Sequence, residues 1–240
     1  MKNILLIPLA GLLLFVLNAG TALSQSTIVE RSFNASGNET IDLNLKFGEA
    51  ITIKAWDKSE VAFRAVIDIN GGKLNDALIL DFNENSNGLF ITSEYDRERI
   101  RDGRREDCPD KSYSTYSLDS DRERSVVCSN ITYEIWVPAG NSLKVESISS
   151  NIELVGLKGP VKAKSISGFV DLSWAESNNA ELSVKTISGE VYSGLEQLAL
   201  SNQKRDAPLV GYEIRGSIGS GGPRVSLESI SGNIYLRKVE

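Results

Sequence analysis

Hydrophobic and polar residues alternate with a period of two along most of this chain, as they do in β-strands that bury one face. In the N-terminal half the pattern is clear at Ile41, Leu43 and Leu45 and at Ile51 and Ile53. It recurs at Val61/Phe63/Ala65, Leu78/Leu80/Phe82, Leu89/Ile91 and Ile131/Tyr133/Ile135/Val137. Turn residues separate these runs, so the pattern predicts a succession of short strands.

Four copies of a short motif mark the C-terminal region, residues 143–240. They begin at Ser147, Ser165, Thr186 and Ser229 and read close to Ser-Ile-Ser-Gly-x-Ile/Val, each after a short alternating strand. A repeat of about 20 residues is too short to bury an apolar face alone and must stack on its neighbours. The repeats therefore predict an all-β parallel solenoid, in which the N-terminal strands supply either the first turns or a small capping sheet.

Each copy also changes the face on which its apolar side chains lie, at the step from Ser or Thr to Ile. A strand cannot change faces without a bend, so we place a corner of the solenoid there. Glycine follows two residues after the isoleucine, at Gly168, Gly189 and Gly232. We expect these glycines to point into the crowded inside of the corner and Gly189→Val to disrupt the stack.

The isoleucines of the motif are expected to form a ladder inside the solenoid, because equivalent residues of stacked strands lie above one another. This ladder contains Ile148, Ile166, Ile187 and Ile230, together with Ile214 from a degraded fifth copy. We therefore expect Ile187→Asp to bury an unpaired charge and to disrupt the fold.

The alternation also identifies side chains that point outward, and five of them are candidates for a binding face. These are Glu153, Phe169, Asp171, Tyr192 and Tyr235. Exposed aromatic rings on a rigid surface suit stacking on sugars or contact with another protein, whereas loops that cover the rings would leave no site. Glu153 and Asp171 lie on adjacent repeats, near the separation of the two carboxylates of a retaining glycosidase. Paired carboxylates on an exposed strand are also typical of surfaces whose charges only keep the protein soluble. We therefore assign no catalytic residue.

The first residues of the chain have the pattern of an export signal. Lys2 is followed by an apolar run from Ile4 to Val16, and Ala22-Leu23-Ser24 offers small residues to a signal peptidase. We expect residues 1–24 to be removed and the rest to be exported to the periplasm or the cell surface. No later stretch is apolar enough to span a membrane.

Composition narrows the chemistry that the chain can support. The formal net charge is −6, and the sequence contains no histidine. An acidic protein without a basic stripe is a poor candidate for nucleic-acid binding. The missing histidine excludes Ser-His-Asp catalysis and histidine-rich zinc sites, and we expect neither a metal nor a cofactor.

The two cysteines, Cys108 and Cys128, lie in a charged insertion at residues 94–128. In an exported chain an even number of cysteines indicates a disulfide, the alternative being two free thiols. A bridge across about 20 residues stabilises a fold by about 3 kcal/mol in the chain-entropy model. The mixture of acidic and basic residues is typical of a solvent-exposed loop. This loop is either a binding loop on a rigid scaffold or a surface loop that binds no ligand.

Residues 83–94 have the spacing of an EF-hand loop, with oxygen donors at the first, third, fifth and last positions and glycine at the sixth. Asparagine stands where aspartate is usual, and Asn87-Gly88 between two apolar runs is a strong β-hairpin signal. We therefore predict a hairpin at this place. Asp119-Ser120-Asp121 is a still weaker calcium candidate.

The repeated Ile-Ser-Gly-x-Ile/Val motif, the alternating strand before it and the signal peptide together resemble a bacterial putative-adhesin β-solenoid family of unknown function, the DUF4097-type proteins. The resemblance covers residues 143–240 and extends less closely back to residue 27. It implies a right-handed parallel β-helix with N-terminal capping strands, and export to the cell envelope. It supplies no catalytic residues, and the insertion at 94–128 is not part of the motif.

We therefore expect a single exported all-β domain that is not an enzyme and that presents a rigid β face to a glycan or an envelope protein. Two alternatives remain open. One is a polysaccharide-active β-helix enzyme that uses Glu153 and Asp171, and the other is a periplasmic structural or sensing protein.

Overall fold

A computed structural model of the chain describes residues 26–35, 39–109, 112–117, 124–201, 211 and 213–239. Nearly all of this part is β-structure, which confirms the predicted all-β class. The strands form an eight-stranded sheet, a nine-stranded sheet and a two-stranded ribbon. The predicted export signal, residues 1–24, lies outside the described residues.

The first half of the chain contains the strands that form one end of the two sheets and the ribbon. They are β1 (Thr27–Asn34), β2 (Thr40–Leu45), β3 (Ala50–Trp56), β4 (Glu60–Ile69), β5 (Leu78–Asn85), β6 (Gly88–Tyr95), β7 (Ser114–Ser117), β8 (Arg124–Val127) and β9 (Ser129–Pro138). Helical structure in the described part is limited to α1 (Arg97–Ile100) and two 3-10 turns at Asn75–Ala77 and Arg105–Asp107. None of these helices approaches the length needed to cross a membrane.

The second half contains the repeats, each of which supplies one strand to each large sheet. These strands are β10 (Ser142–Ser147) and β11 (Asn151–Val155), β12 (Val161–Ser165) and β13 (Val170–Trp174), β14 (Ala180–Thr186) and β15 (Val191–Ser193), and β18 (Arg224–Ser229) and β19 (Ile234–Lys238). We call these pairs the first, second, third and fourth repeats. Between the third and fourth repeats lie β16 (Leu198–Leu200) and β17 (Glu213–Ile218).

Both large sheets are mixed rather than purely parallel. The nine-stranded sheet has the order β16-β17-β14-β18-β12-β10-β2-β6-β5, and the eight-stranded sheet has the order β1-β4-β9-β3-β11-β13-β19-β15. The central strands of each sheet pair in parallel, whereas β1, β4, β5, β16 and β17 pair antiparallel. The β5–β6 pair is a hairpin in which the chain returns directly, whereas the β1–β4, β4–β9 and β14–β17 pairs join strands that are not consecutive in the chain.

The repeats do not stack in the order in which they occur along the chain. Strand β18 pairs with β12 on one side and β14 on the other. Strand β19 likewise lies between β13 and β15. The fourth repeat is therefore inserted between the second and the third.

The N-terminal strands extend the stack and also flank its end. Strands β2 and β3 pair in parallel with β10 and β11 of the first repeat, as a further repeat would. Strands β1, β4 and β5 add antiparallel edges beyond them. Aromatic side chains fill the core at this end, where Phe63 packs against Phe82 at 5.2 Å and Tyr133 at 5.9 Å between ring centroids.

The isoleucines of the repeated motif lie outside the core, so the predicted inner ladder is wrong. Ile148, Ile166 and Ile187 are 42%, 38% and 39% exposed. The preceding hydroxyl residue keeps the inward register of its strand, and the isoleucine is the first residue to turn outward. Ile230 is half-buried. Ile214 belongs to β17, which pairs antiparallel with β14, so residues 214–220 are not a fifth repeat.

The space inside each corner is filled by the side chain of the hydroxyl residue and by the backbone of the repeat that lies beside it in the sheet. Ser165 and Ser229 are fully buried, and each accepts a hydrogen bond from the glycine N–H three residues later. A Cβ atom on Gly168 would lie 2.0 Å from the Ser150 carbonyl oxygen, and one on Gly189 would lie 2.1 Å from the Gly232 carbonyl oxygen. The glycines therefore do point into a crowded corner, as predicted.

The insertion is fixed to the edge of the stack by the predicted disulfide, which is confirmed between Cys108 and Cys128. The buried side chain of Asn70 supports the same junction. Its Oδ1 accepts from the Cys128 backbone N–H at 3.0 Å, and its Nδ2 donates to the Val126 carbonyl at 2.9 Å. Tyr116 packs edge to face on Tyr95 at 5.9 Å.

The segment with EF-hand spacing is the β-hairpin that the sequence predicted. Strand β5 turns into β6 through Ser86 and Asn87, and Asn85 pairs with Gly88 across the turn. Within the described residues no group of three or more cysteine or acidic side chains is placed to hold a metal ion. The weaker calcium candidate, Asp119-Ser120-Asp121, lies outside them.

Candidate binding face

The exposed side of the eight-stranded sheet carries the five outward residues that alternation identified. Backbone pairing places four of them in one row, in the order Glu153, Asp171, Tyr235, Tyr192. Phe169, next to the start of β13, lies beside Tyr235. The structure thus brings all five side chains together, and their role in binding stays a prediction.

Three side chains of this face, Phe169, Tyr235 and Tyr192, form what we call the aromatic row. The rings of Tyr192 and Tyr235 stack with centroids 5.3 Å apart and planes 9° apart. Phe169 meets the Tyr235 ring edge to face at 5.9 Å. Tyr235 occupies the middle because the fourth repeat lies beside the second. Tyr192 is the most open ring, with 48% of its surface exposed.

Hydrogen bonds with neighbouring residues hold the two tyrosine rings in place. The Tyr192 hydroxyl donates to the Glu190 carboxylate, and Asn233 Nδ2 donates to the Tyr235 hydroxyl oxygen at 3.1 Å. Asn233 Oδ1 in turn accepts from the Glu190 backbone N–H at 2.9 Å. The hydrogen bond to Glu190 and the charge of that carboxylate raise the pKa of the Tyr192 phenol.

The two carboxylates of the face have different surroundings. Asp171 accepts a hydrogen bond from Arg237 Nε at 2.6 Å, whereas Glu153 is exposed on the neighbouring strand. The guanidinium of Arg237 also lies 5.2 Å from the centroid of the Tyr235 ring. The hydrogen bond that Arg237 donates to Asp171 raises the pKa of the Arg237 guanidinium. Arg237 was missed in the sequence, although it follows Tyr235 by two residues and so shares its face.

Two tryptophans on the same exposed side, nearer the opposite edge of the sheet, were also missed. Trp56 and Trp136, which we call the tryptophan pair, have ring centroids 6.3 Å apart, and Lys58 Nζ lies 4.5 Å from the Trp56 ring centroid. A groove of about 380 Å³ opens beside them, lined in part by Trp136 and Arg64. Alternation could have identified Trp136, because it shares the register of the outward residue Glu134 in β9.

The exposed side of the nine-stranded sheet has a different character. Its central row reads Glu146, Lys164, Glu228, Lys185 across neighbouring repeats. Lys164 Nζ lies 3.3 Å from a Glu228 carboxylate oxygen, and Lys162 Nζ lies 3.6 Å from Glu146. Charges of opposite sign therefore compensate one another along this side.

Comparison with known proteins supports the fold and does not show a family. No family model matches the sequence, and no curated protein matches it. The chain is similar to the crystal structure of a "putative cell adhesion protein" from Clostridium sporogenes, with a TM-score of 0.50 and 11% identity over 90% of this chain and 100% of the other. A "putative adhesin" from Bacteroides fragilis aligns at 12% identity over 89% of this chain and 97% of its own, with a TM-score of 0.21. At such low identity the first likeness shows a shared fold, and the second adds no argument.

Proposed function

We propose that this protein is an exported, adhesin-like module of the cell envelope or cell surface that acts by binding and not by catalysis. Its ligand, a glycan or an envelope protein, contacts the exposed side of the eight-stranded sheet. The observation that carries the proposal is the aromatic row, in which three rings are fixed side by side on a sheet surface. Rings that are already ordered lose little conformational freedom on binding, which favours affinity.

Three further observations support export and adhesion. The pattern of residues 1–24 is that of a signal peptide. The disulfide between Cys108 and Cys128 is typical of proteins that fold in an oxidising compartment. The structure from Clostridium sporogenes that shares the fold is named as a "putative cell adhesion protein".

The proposal includes a winding direction for the parallel part of the stack. Strands β2, β10, β12 and β18 are neighbours in one sheet, and each is followed along the chain by a strand of the other sheet. Parallel strands joined in this way are connected with a right-handed crossover in nearly all known proteins. We therefore describe the repeats as a right-handed β-helix whose fourth turn lies out of sequence order.

A binding role fits the two carboxylates better than a glycosidase role. Asp171 is held by Arg237 at 2.6 Å, and the guanidinium also covers Tyr235. A nucleophile or general acid has to reach the reacting sugar, whereas Oδ2 of Asp171 is occupied by the guanidinium of Arg237. Hydrolysis of soluble polysaccharides, lost on Glu153→Ala or Asp171→Ala, would overturn the non-catalytic proposal.

The binding proposal is tested with the exported protein on arrays of envelope glycans and on intact bacterial cells. The triple variant Phe169→Ala/Tyr192→Ala/Tyr235→Ala is expected to lose binding. A matched variant of the nine-stranded sheet, Lys162→Ala/Ser226→Ala, is expected to keep it, because it changes the opposite exposed side. Retention of all binding by the triple variant would rule out the aromatic row as the site.

The location is tested by protease treatment of intact cells, with a periplasmic protein as control. Cleavage of this protein while the control survives indicates the cell surface. Protection until the outer membrane is opened places it in the periplasm and rules out adhesion to other cells.

A further inference from the structure

The tryptophan pair and the aromatic row belong to one continuous surface. Backbone pairing forms a second row along the exposed side of the sheet, in the order Trp136, Lys54, Val155, Ser173, Arg237. This row runs beside the row of Glu153, Asp171, Tyr235 and Tyr192. Its last member, Arg237, lies over the ring of Tyr235. The second row therefore leads from one aromatic cluster to the other.

The distance between the clusters sets the size of a ligand that reaches both. Trp136 stands on β9 and Tyr235 on β19, and β3, β11 and β13 lie between them. Neighbouring strands are about 4.8 Å apart, so four steps span about 19 Å, and the step to Tyr192 makes about 24 Å. A single sugar or a short peptide side chain covers only one cluster, whereas an extended polymer covers both.

The surface between the clusters carries no ring that would block such a polymer. The intervening positions of the two rows hold Thr52, Lys54, Glu153, Val155, Asp171 and Ser173. Val155 is 38% exposed, which leaves an apolar spot midway along the path. Hydroxyl and charged groups on either side offer hydrogen bonds to a hydroxyl-rich chain.

The charges of this face favour a neutral ligand over a polyanion. Arg64 lies between two carboxylates, with its Nε 3.2 Å from Glu30 and its Nη1 3.0 Å from Glu134. Arg237 is paired with Asp171. The guanidinium groups are thus already compensated. The exposed charges of Lys54 and Glu153 on the path are of opposite sign, so the face offers no excess of positive charge to a polyanion.

We propose that the ligand of this face is a single extended chain of a neutral polysaccharide that contacts the tryptophan pair and the aromatic row at the same time. Sugar rings present apolar faces to aromatic rings and hydroxyl edges to polar side chains, which is the combination that the two rows provide. Each cluster alone binds weakly, and a chain that engages both gains affinity because the second contact is intramolecular. The inference rests on the proposed binding function and adds the class and length of the ligand.

The experiment is a calorimetric titration of the exported protein with neutral oligosaccharides of increasing length. The probes are β-1,4-linked oligomers of glucose and of N-acetylglucosamine and α-linked oligomers of mannose, each from dimer to octamer, with alginate as the polyanion. We expect at least one neutral series to bind about tenfold or more tightly as octamer than as dimer. Alginate is expected to bind more weakly than that series.

Variants at the two clusters separate this inference from the proposed function. Trp136→Ala is expected to weaken octamer binding about tenfold, through the loss of a ring contact, and to weaken dimer binding less, because a dimer still binds the aromatic row. Trp136→Phe keeps an aromatic ring and is expected to restore most of the octamer affinity, which separates stacking from a folding defect. Tyr192→Ala/Tyr235→Ala is expected to weaken both.

Three kinds of result contradict the inference. Equal affinity for dimer and octamer, or octamer binding that ignores Trp136→Ala, would rule out a spanning chain and leave the binding function standing. Tighter binding of alginate, or binding only of a protein through the aromatic row, would rule out a neutral polysaccharide. Binding of none of the glycan probes, together with no binding to cells or to envelope proteins, would rule out the proposed function as well.

Discussion

The Ser229 hydroxyl donates a hydrogen bond to the carbonyl oxygen of Gly168 across 2.9 Å, although 61 positions separate the two residues in the chain. The same oxygen of Ser229 accepts from the Gly232 N–H at 2.8 Å. One hydroxyl thus closes its own corner and ties it to the neighbouring repeat. Thr186 makes the equivalent contact to the Gly232 carbonyl at 2.9 Å. The repeated Ser or Thr is therefore a structural joint between repeats.

Replacement of Ser229 by alanine removes both hydrogen bonds inside a fully buried corner. We expect the free energy of unfolding to fall by about 1–3 kcal/mol, because the half-buried Gly232 N–H and the Gly168 carbonyl both lose a partner. Chemical denaturation followed by circular dichroism measures the change. Ser231→Ala, two residues away on the exposed side, is the control and is expected to change stability by less than about 0.5 kcal/mol. Equal stability of the two variants would show that the hydroxyl joint contributes nothing.

Gly168→Ala tests the crowding of the corner. The added methyl group would lie 2.0 Å from the Ser150 carbonyl oxygen, so the backbone has to move. We expect a loss of about 1–3 kcal/mol or more, measured by thermal and chemical denaturation. Gly140→Ala is the matched control, because no atom lies within 4 Å of its added Cβ. A Gly168→Ala protein as stable as the Gly140→Ala protein would contradict the observed approach of the two repeats.

Charge substitutions distinguish the inside of the stack from its outside. Ile187 is 39% exposed, so we now expect Ile187→Asp to cost less than about 1 kcal/mol, contrary to the expectation from the sequence. Ile234 is fully buried, and Ile234→Asp is expected to cost about 4 kcal/mol or more because the charge has no partner. Melting temperatures of the two variants provide the measurement. If the Ile187→Asp protein were unfolded, Ile187 would have to lie inside the stack, as the sequence predicted.

Two buried tyrosines predict a loss of stability at high pH. Burial raises the pKa of Tyr95 to about 12 and raises that of Tyr133 as well. Because the pKa is higher in the folded state than the value of about 10 in the unfolded chain, the stabilising effect is complete below pH 10 and is lost as the pH rises towards 12. We expect the free energy of unfolding to fall across this range, and to fall less steeply in Tyr95→Phe/Tyr133→Phe.

The informative measurement compares how steeply the free energy of unfolding falls with pH in the native protein and in the double phenylalanine variant. Lysines titrate in the same pH range in both proteins, so only the difference between the two slopes reports on the tyrosines. The absolute stability of the phenylalanine variant is not diagnostic, because Tyr133 also donates a hydrogen bond to the Phe47 carbonyl at 2.9 Å. Identical slopes would mean that neither phenol resists ionisation in the folded state.

Much of the secondary structure and the outward side of the repeats could be predicted from alternation alone. The register of Glu153, Asp171, Tyr192 and Tyr235 depends only on the period of two within each strand, and the structure brings these residues together. The pairing of Cys108 with Cys128 followed from there being two cysteines in a chain whose first residues have the pattern of an export signal. Local patterns of this kind survive folding because each strand must bury one face.

The direction of the isoleucines could not be read from the same pattern. At a corner the chain turns by backbone bending, and the period of two no longer tells which residue faces inward. Ser165 remains inside because its hydroxyl finds two backbone partners, which leaves Ile166 outside. The order of repeats was equally hidden, because nearly identical motifs can pair with any other copy. The tryptophan pair was missed because Trp56 and Trp136 belong to no repeat.

The position of the fourth repeat also governs how the fold is assembled. A chain that emerges N-terminus first can stack its first and second repeats at once, but the third joins the second only through β18 and β19, which follow it in the sequence. A third repeat that pairs early with β12 takes the place of β18 and has to separate again. Assembly therefore ends with the insertion of late strands between earlier ones, so completion of the sheets depends on late, long-range contacts and cannot proceed turn by turn.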